Sequence, residues 1–288
     1  MISSDRLPEE VRAILNLLLD SMRVVLGDQL VGVYLYGSLS SGDFDPASSD
    51  VDFLAVTSGT ISDEKFEQLR AMHERIAAKD LPFATRLEGS YIPQDALRSY
   101  DPTTAWHPTI GVDWPLQIGF HNINWVIERA IVRERGVVLW GPPPAVLIDS
   151  VSPQQLREAT CQQITAGWRD RIHDEAWLRP RAYSAFAVLT LCRALYTIQH
   201  GTYCSKPAAA SWATGFYPGW RPMIEWALMH RADHSDSAPD ELVRTLAFLR
   251  EAVATVQSQC AQRPTTGTFH DLGAKIPLPR SVQAGEGD

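Results

Sequence analysis

Two aspartates one residue apart, Asp50 and Asp52, stand at the start of a hydrophobic segment, residues 51–56. Aspartate is disfavoured in β-strands, and side chains two residues apart in a strand project to the same side. Because two carboxylates there repel each other, a positive group should hold them in place. Mg²⁺ commonly combines one or two carboxylates with substrate phosphates. The pair therefore predicts a site for Mg²⁺ and a phosphate-bearing ligand.

The dipeptide Gly37-Ser38 precedes this pair, directly after the hydrophobic segment 30–36. Glycine lets a ligand come close to the backbone, and Ser38 offers a hydroxyl and a turn whose N–H groups can face phosphate. A lone Gly-Ser is only a turn, and a lone D-x-D is usually a solvated loop. Between two hydrophobic segments, the two together favour a nucleoside triphosphate site.

One more carboxylate follows in the hydrophobic segment 83–92, where Glu88 is the acidic residue. A hydroxyl that attacks phosphorus must lose its proton, so a positioned base would help the reaction. If segment 83–92 is the strand next to Asp50 and Asp52, Glu88 reaches the same site as the general base. The alternative is a solvated charge on an edge strand.

The elements that must position these residues alternate between helix and strand up to about residue 150. The spacing of apolar residues predicts helices over 8–26, 62–78 and 121–135. Strands are predicted over 30–36, 51–56, 83–92 and 137–141, and residues 99–120 look like a long irregular loop. The expected fold is an α/β (α+β) domain with a small mixed sheet, spanning residues 1–150.

The rest of the chain has a mainly helical pattern, which predicts an all-α bundle over residues 151–263. Ser152-Pro153-Gln154-Gln155 has the form of a helix start, with serine as the N-cap. Further apolar periodicity predicts helices over 153–168, 181–200, 207–213, 220–230 and 239–259. Residues 264–288 are poor in apolar residues, and we expect a mobile tail.

Composition excludes several functional classes. The 288-residue chain has a formal net charge of −8, which argues against binding to nucleic acids or to anionic membranes. No apolar run is long enough to span a bilayer, and the first residues lack the pattern of a signal peptide, so we expect a cytoplasmic protein. The four cysteines are widely spaced, which favours reduced thiols over structural zinc.

These motifs resemble those of the streptomycin and spectinomycin (aminoglycoside) adenylyltransferases, within the nucleotidyltransferase superfamily that has the polymerase-β-type fold. The resemblance covers most of the chain: LYGS, SDVDF and LEGSYI in the first domain, ERGVVLWGP at the crossover, and AVLTLCRALYTIQHGTYCSKPAAASWA in the helical domain. It implies an Mg²⁺-dependent transfer of AMP from ATP to a hydroxyl of an aminoglycoside or aminocyclitol antibiotic. Resistance to that antibiotic would follow.

The resemblance also implies roles for individual residues. Two Mg²⁺ ions would be held by Asp50, Asp52 and Glu88, with Glu88 as the general base. The residues implied to contact the triphosphate are Gly37, Ser38, Ser49 and, from the helical domain, Arg193 and Lys206. Cations aimed at pyrophosphate would stabilise a highly charged leaving group.

The acceptor pocket is less clearly marked. Trp106 and Trp114, with His107 and His121, could line it or could equally belong to the core. Members of the family that take streptomycin use acidic side chains shortly before the position of Arg193. Residues 179–183 contain no acidic side chain, so the nearby Asp174 and Glu175 are the candidates to replace them. Arg179 and Arg181 would repel a cationic acceptor unless both point to solvent.

Two alternatives stay open at this point. The same chemistry could act on a small alcohol that is not an antibiotic. A nucleotidyltransferase of the toxin–antitoxin type could instead act on a partner protein, and Arg193-x6-His200 fits the loose R-x4–6-H pattern of a ribonuclease family found in such pairs. A monomer is compatible with the sequence, because one chain can supply both halves of the site. The acceptor, its modified hydroxyl and the preference for ATP over other nucleotides are left open.

Overall fold

The computed structural model describes residues 7–112, 114–168 and 171–262. The described chain divides between Ser150 and Val151 into two compact units, named here the sheet unit and the helical unit. The predicted tail, residues 264–288, lies outside the described residues.

The sheet unit is built on one mixed sheet. Its described strands are β1 (Leu30–Leu35), β2 (Val51–Thr57), β3 (Leu87–Pro93), β4 (Trp106–Gly111), β5 (Trp114–Phe120) and β6 (Val137–Trp140). They are ordered β5-β4-β3-β2-β1-β6. Strands β2 and β3 run parallel, and the other neighbouring pairs are antiparallel. The predicted small mixed sheet is confirmed.

Helices complete the sheet unit. They are α1 (Glu9–Leu26), α2 (Gly37–Ser41), α3 (Asp63–Ala77), α4 (Gln94–Arg98) and α5 (Asn124–Arg135). Helix α1 buries Val11, Ile14, Leu18 and Met22, which recur at helical spacing, and it packs on α3 and β1. The crossover through α3 joins the parallel strands, as such pairs require.

The prediction of an irregular loop over residues 99–120 is wrong, because this stretch forms the antiparallel pair β4 and β5. Proline lacks the N–H that a sheet ladder uses, so Pro108 and Pro115 looked like strand breakers. Pro115 is tolerated because β5 is the edge strand, and Pro108 because the ladder between β3 and β4 joins only Gly89 to Ile110 and Ser90 to Thr109.

The third strand also begins later than predicted, at Leu87 rather than residue 83. Phe83 has a positive φ of 65°, and its carbonyl accepts a hydrogen bond from the N–H of Arg86 at 3.0 Å. Residues 83–86 therefore form a turn, and the hydrophobic character of Phe83 reflects burial rather than strand structure.

The helical unit is organised around one long buried helix. Its helices are α6 (Pro153–Gly167), α7 (Glu175–Leu178), α8 (Arg181–His200), α9 (Lys206–Phe216), α10 (Arg221–His230) and α11 (Pro239–Ala261). Helix α8 packs against α6, α9, α10 and α11. Ser152 and Gln155 form the expected capping box at the start of α6. The predicted all-α bundle is confirmed, whereas α7 was not predicted.

The cysteines correct a third prediction. Cys161 on α6 and Cys260 on α11 form a disulfide, so the expectation of reduced thiols is wrong for this pair. Cys192 and Cys204 are buried and lie outside the disulfide. Spacing could not reveal the bond, because 99 positions separate its two cysteines and only the packing of α6 beside α11 brings them together.

Membrane association through a spanning helix finds no support in the described residues. Each helix in this part of the chain is too short or too polar to cross a bilayer.

Candidate active site

Asp52 and Glu88 are neighbours because of the register of the sheet. The parallel strands β2 and β3 place these two residues directly opposite each other. Opposite residues of paired strands project to the same face, so the two half-buried carboxylates stand side by side. The structure thus brings together the two acidic residues that the sequence placed on separate hydrophobic segments.

Asp50 lies just before β2 and is held by an arginine. Arg86 Nε lies 3.4 Å from Asp50 Oδ1, and the same guanidinium donates to the carbonyl of Pro46 at 2.8 Å and to that of Ser49. Arg86 thus places a positive charge of the chain itself beside Asp50, whereas the expected cation between Asp50 and Asp52 stays a prediction. The contact could not be predicted from the sequence, because Arg86 lies in the turn before β3 and not next to Asp50 in the chain.

A ready-made metal cluster is not present among the described residues, where no group of three or more His, Cys, Asp or Glu side chains is close enough to hold an ion. Asp50, Asp52 and Glu88 are therefore not gathered into one three-carboxylate site, and their role as metal ligands stays a prediction. The Asp52–Glu88 pair still fits Mg²⁺, which needs only one or two protein carboxylates when substrate phosphates supply the remaining oxygens.

Gly37 fits closely against Asp52. Its φ is +59°, and a Cβ added there would lie 1.9 Å from Asp52 Oδ2. The preceding residue, Tyr36, donates its N–H to the carbonyl of Asp52 at 3.2 Å, which fixes this approach. Any larger residue at position 37 would displace the Asp52 carboxylate. Glycine is therefore required both by the positive φ and by the lack of space for a side chain.

Ser38 offers an unused hydroxyl beside this pair. Its Oγ is buried and has no hydrogen-bond partner among the described residues. Buried polar atoms are usually satisfied, so an orphaned oxygen at this position suits a ligand that supplies the partner. By contrast, Ser49 Oγ accepts a hydrogen bond from the N–H of Asp45 at 3.0 Å and shapes the loop that leads to β2.

Two residues near the pair were missed by sequence reasoning. Tyr36 is buried, and its pKa is raised well above the ordinary value, first by burial and then by the negative charges of Glu128, Asp52 and Glu88. Glu128 lies on α5, which packs against α2, and accepts a hydrogen bond from Asn124 Nδ2 at 2.9 Å. Glu128 gave no signal because a glutamate on an amphipathic helix is ordinary.

The predicted pocket residues of the sheet unit fall into two kinds. Trp106 is 62% exposed, with its ring 5.2 Å from that of Phe120, and Trp114 has a buried Nε1 with no partner among the described residues. Their role in binding an acceptor stays a prediction. His107 and His121 belong to the core, with their ring centroids 4.8 Å apart.

His121 has clear structural partners. Its Nε2 lies 3.0 Å from both Ser90 Oγ and Thr109 Oγ1, and its ring stacks on Trp125 at 3.8 Å. Burial lowers the pKa of His107 to about 4 and that of His121 to about 2. Both rings therefore remain neutral at pH 7 and hold β3, β4 and α5 together.

In the helical unit, Arg193 and Lys206 each contact an aromatic ring. Arg193 Nη1 donates to Tyr203 Oη at 2.7 Å, and its guanidinium lies 5.1 Å from the centre of the same ring. Lys206 Nζ lies 4.2 Å from the centre of the Phe186 ring. Cation–π distances in this range are attractive.

Asp174 and Glu175, the acidic residues suggested for binding the acceptor, both lie at the start of α7. Asp174 caps α7 and accepts a hydrogen bond from the N–H of Trp177 at 3.0 Å, and the exposed Glu175 begins that helix. Neither position excludes an acceptor contact, and that role stays a prediction.

The two arginines expected to repel a cation differ. Arg181 binds Glu241 at 2.8 Å and Asp233 at 3.4 Å, so its charge is neutralised within the unit. Arg179 is exposed. The structure therefore weakens the argument that this stretch excludes a cationic acceptor.

Comparisons with known proteins agree with this arrangement. Residues 22–97 match a family model described as a nucleotidyltransferase domain, and residues 146–258 match one described as the C-terminal domain of aminoglycoside adenylyltransferase. No curated protein matches the chain.

Among solved structures, the chain resembles the spectinomycin adenyltransferase AAD(9) from Enterococcus faecialis, crystallised with ATP and spectinomycin. The TM-score is 0.65, the identity is 18%, and the match covers 84% of this chain and 98% of that one. At this identity the likeness establishes a shared fold.

Proposed function

We propose that this chain moves AMP from ATP to a hydroxyl of an aminoglycoside or aminocyclitol, since it is an aminoglycoside adenylyltransferase-like nucleotidyltransferase. The observation that carries the proposal is the register of β2 and β3, which sets Asp52 beside Glu88 and against Gly37. A close carboxylate pair next to a glycine, and a serine hydroxyl that has no partner among the described residues, suit the handling of a triphosphate.

In the proposed reaction, the acceptor hydroxyl attacks the α-phosphorus of ATP and pyrophosphate leaves. Glu88 takes the hydroxyl proton, which a general base does best from a fixed position. The hydrogen bond that Ser38 Oγ lacks in the described residues would be made to the triphosphate. The Asp52–Glu88 pair would offer carboxylate oxygens to Mg²⁺, which neutralises phosphate charge when bound.

A cationic acceptor is consistent with the charge distribution. Glu128 adds its negative charge to those of Asp52 and Glu88 around Tyr36, and Arg181 is neutralised by Asp233 and Glu241. The similar adenyltransferase was crystallised with spectinomycin, an acceptor of the proposed class.

A second candidate keeps this chemistry and takes a neutral alcohol. The observation that favours it is an aromatic surface next to the stretch without acidic residues, 179–183. Trp177 lies 5.8 Å from Tyr183 and 6.4 Å from Phe186 between ring centroids, and Phe186 is 38% exposed. For a role in a toxin–antitoxin pair, the described residues offer no comparable observation.

The test is mass spectrometry of reactions that contain the purified protein, Mg²⁺, one of the four nucleotides and one acceptor. Streptomycin, spectinomycin, kanamycin and a neutral cyclitol cover the two candidates. We expect an adduct of AMP mass on an aminoglycoside or aminocyclitol. An adduct on the neutral cyclitol alone would favour the second candidate, and no adduct on any acceptor would contradict both.

Variants separate the roles in this assay. Glu88→Gln keeps the shape of the side chain and removes the base, so we expect a rate loss of about 10²- to 10⁴-fold. Asp95→Asn is the matched control, because Asp95 is exposed on α4 just after the same strand. Equal rates for Glu88→Gln and the unaltered protein would refute the assignment of Glu88 as the base.

A further inference from the structure

The two edges of the sheet differ in how far they are closed to another strand. Strand β5 forms one edge and β6 forms the other. An edge strand presents unpaired backbone N–H and C=O groups, which can pair with a strand of a second molecule. Short strands, prolines, bulges and charged side chains are the usual means of blocking such an edge. The sheet unit uses these means along one edge and leaves part of the other edge open.

Strand β6 is blocked by its length and by its neighbours. It has four residues, and three prolines, residues 142–144, follow shortly after it. Arg23 lies over the ring of Trp140, with its guanidinium carbon 4.1 Å from the ring centre. The Tyr34 hydroxyl donates to the carbonyl of Pro142 at 2.8 Å, which holds the proline segment against the sheet. A further strand therefore has little backbone to pair with at this edge.

Strand β5 is longer and carries no charge. Its seven residues, Trp114–Phe120, include no acidic or basic side chain. Pro115 lies near the start of the strand, and the irregularity in its pairing with β4 lies at the same end. The other end, residues 118–120, has neither device, and Ile118 is 52% exposed there. The second half of β5 is therefore open to pairing.

The pairing with β4 shows which backbone groups of β5 face outwards. In an antiparallel pair, residues that exchange both hydrogen bonds with the opposite residue alternate with residues whose N–H and C=O point away from it. Pro108 of β4 lies opposite Ile118 and has no N–H, so this pair is of the second kind. The N–H and C=O of Ile118 therefore point to the open edge, and by alternation so do those of Phe120.

Apolar surface accompanies these outward groups. Ile118 and Phe120 are two residues apart in the strand, so their side chains project to the same face. Trp106 lies opposite Phe120 in β4, and the two ring centroids are 5.2 Å apart. Trp106 is 62% exposed. A strand that paired with this edge would thus meet apolar side chains next to the backbone groups.

The chain itself offers a matching strand. Two identical strands can pair antiparallel about a twofold axis, and the residue on the axis then exchanges both hydrogen bonds with its own copy. Ile118 meets this requirement, because both of its backbone groups point outwards and its side chain carries no charge. A head-to-tail contact between β5 and β6 would instead build an open filament, and β6 is blocked.

We propose that β5 is a dimerisation edge, which pairs antiparallel with β5 of a second copy of this chain about a twofold axis at Ile118. The two sheets then join into one continuous sheet. The formal net charge of −8 makes two copies repel each other, so an uncharged strand is where they can approach most closely. This inference goes beyond the proposed function and does not depend on it.

Sedimentation velocity of the full chain over a range of concentrations tests the dimer. We expect the average mass to rise with concentration from the 32.0 kDa of one chain towards twice that mass. In Ile118→Lys two like charges meet on the axis, so the dissociation constant of the dimer should rise about tenfold or more. A mass that stays at 32.0 kDa at every concentration would overturn the proposal.

A control and a rescue separate this edge from other surfaces. Val24→Lys is the matched control, because Val24 is 85% exposed on α1 and the variant adds the same charge away from the edge. It should dimerise like the unaltered protein. A mixture of Ile118→Lys and Ile118→Glu should recover the dimer, because a twofold contact places residue 118 opposite itself. Equal weakening by the control, or no recovery in the mixture, would contradict pairing about this residue.

A cysteine on the axis tests the register. Residues that exchange both hydrogen bonds lie about 5.5 Å apart between their Cα atoms, which is within the range of a disulfide. Ile118→Cys should therefore give a disulfide-linked dimer with oxidised glutathione, and Val24→Cys should not. The native Cys192 and Cys204 are buried, so they should not take part. A dimer in solution that gives no cross-link at residue 118 would place the interface elsewhere and refute the assignment.

Discussion

The two units hold the charges that were predicted for the site in different ways. In the sheet unit, backbone register sets Asp52 beside Glu88, and the glycine at position 37 leaves room for the pair. In the helical unit, side chains hold side chains, with rings beside Arg193 and Lys206 and carboxylates around Arg181. A substitution at a close backbone contact therefore displaces a charged group directly. A substitution at a side-chain contact removes one contact and leaves the backbone in place.

The largest expected effect comes from breaking the backbone placement. In Gly37→Ala the new methyl group would meet Asp52 Oδ2, and a displacement of about 1 Å in a catalytic group can lower a rate about 100-fold. We therefore expect the rate of AMP transfer to fall by about 100-fold or more. Steady-state rates at saturating ATP measure this.

Gly42→Ala is the matched control for that variant. Gly42 follows the other end of α2 with a φ of +78°, and a Cβ there meets no atom within 4 Å. Gly42→Ala therefore has the same kind of backbone strain as Gly37→Ala but no clash with a neighbouring side chain. Its rate of AMP transfer should stay near that of the unaltered protein. Equal losses for the two variants would show that strain, and not the displacement of Asp52, is responsible.

The next effect concerns the helical unit alone. The disulfide between Cys161 and Cys260 closes a long loop, and such bonds typically stabilise a protein by about 2–4 kcal/mol. The double variant Cys161→Ser, Cys260→Ser should lose about that free energy of unfolding in the helical unit. Chemical denaturation with and without reductant measures it. In reductant, the variant and the unaltered protein should unfold together; a difference that persists there would contradict the explanation.

Acid should act on the sheet unit instead. Burial lowers the pKa of His73 to about 4, and its Nε2 lies 2.7 Å from Tyr91 Oη. Since the unfolded chain binds the proton more readily, the stabilisation is complete above about pH 6.5 and is lost as the pH falls towards 4. The loss from this histidine reaches about 3 kcal/mol.

Unfolding curves recorded between pH 7.5 and 4.5 check this expectation. His73→Phe should flatten the pH dependence, because the titrating group is gone. His173→Phe, at an exposed histidine of the helical unit, is the control and should keep the original slope. An unchanged slope in His73→Phe would assign the acid sensitivity to other groups, with His107 and His121 as the next to test.

The smallest effect is expected at Arg181. Its charge is already met by Asp233 and Glu241, so Arg181→Gln should change kcat/KM for a cationic acceptor by less than about twofold, as for most partly exposed ion pairs. A large gain in kcat/KM would restore the idea that Arg181 repels such acceptors. Arg179→Gln, at the exposed neighbour, provides the comparison.

The sequence predicted the residues that the backbone positions better than it predicted contacts between side chains. The short-range motifs that mark strand ends and turns led to Gly37, Asp52 and Glu88, and the structure brings these residues together. Apolar periodicity predicted α8 over its full length. Patterns of this kind depend on neighbours in the chain, which a single sequence contains.

Contacts between distant side chains could not be predicted. Arg86 beside Asp50, Glu128 near Tyr36 and the disulfide all depend on how elements pack, and no spacing encodes them. The pair β4 and β5 was missed for another reason: prolines at an edge strand, and beyond the end of a ladder, look the same in sequence as prolines in a loop.

The parallel pairing of β2 and β3 also determines where the chain can change in length. A one-residue slip of β3 would put Leu87 or Gly89 opposite Asp52, so an insertion within either strand removes the carboxylate pair. The crossover that joins them reaches the surface at residues 77–80, which are exposed. A reporter peptide or a new pair of termini placed between Lys79 and Asp80 would leave both strands intact, which makes this turn the natural point for engineering the protein.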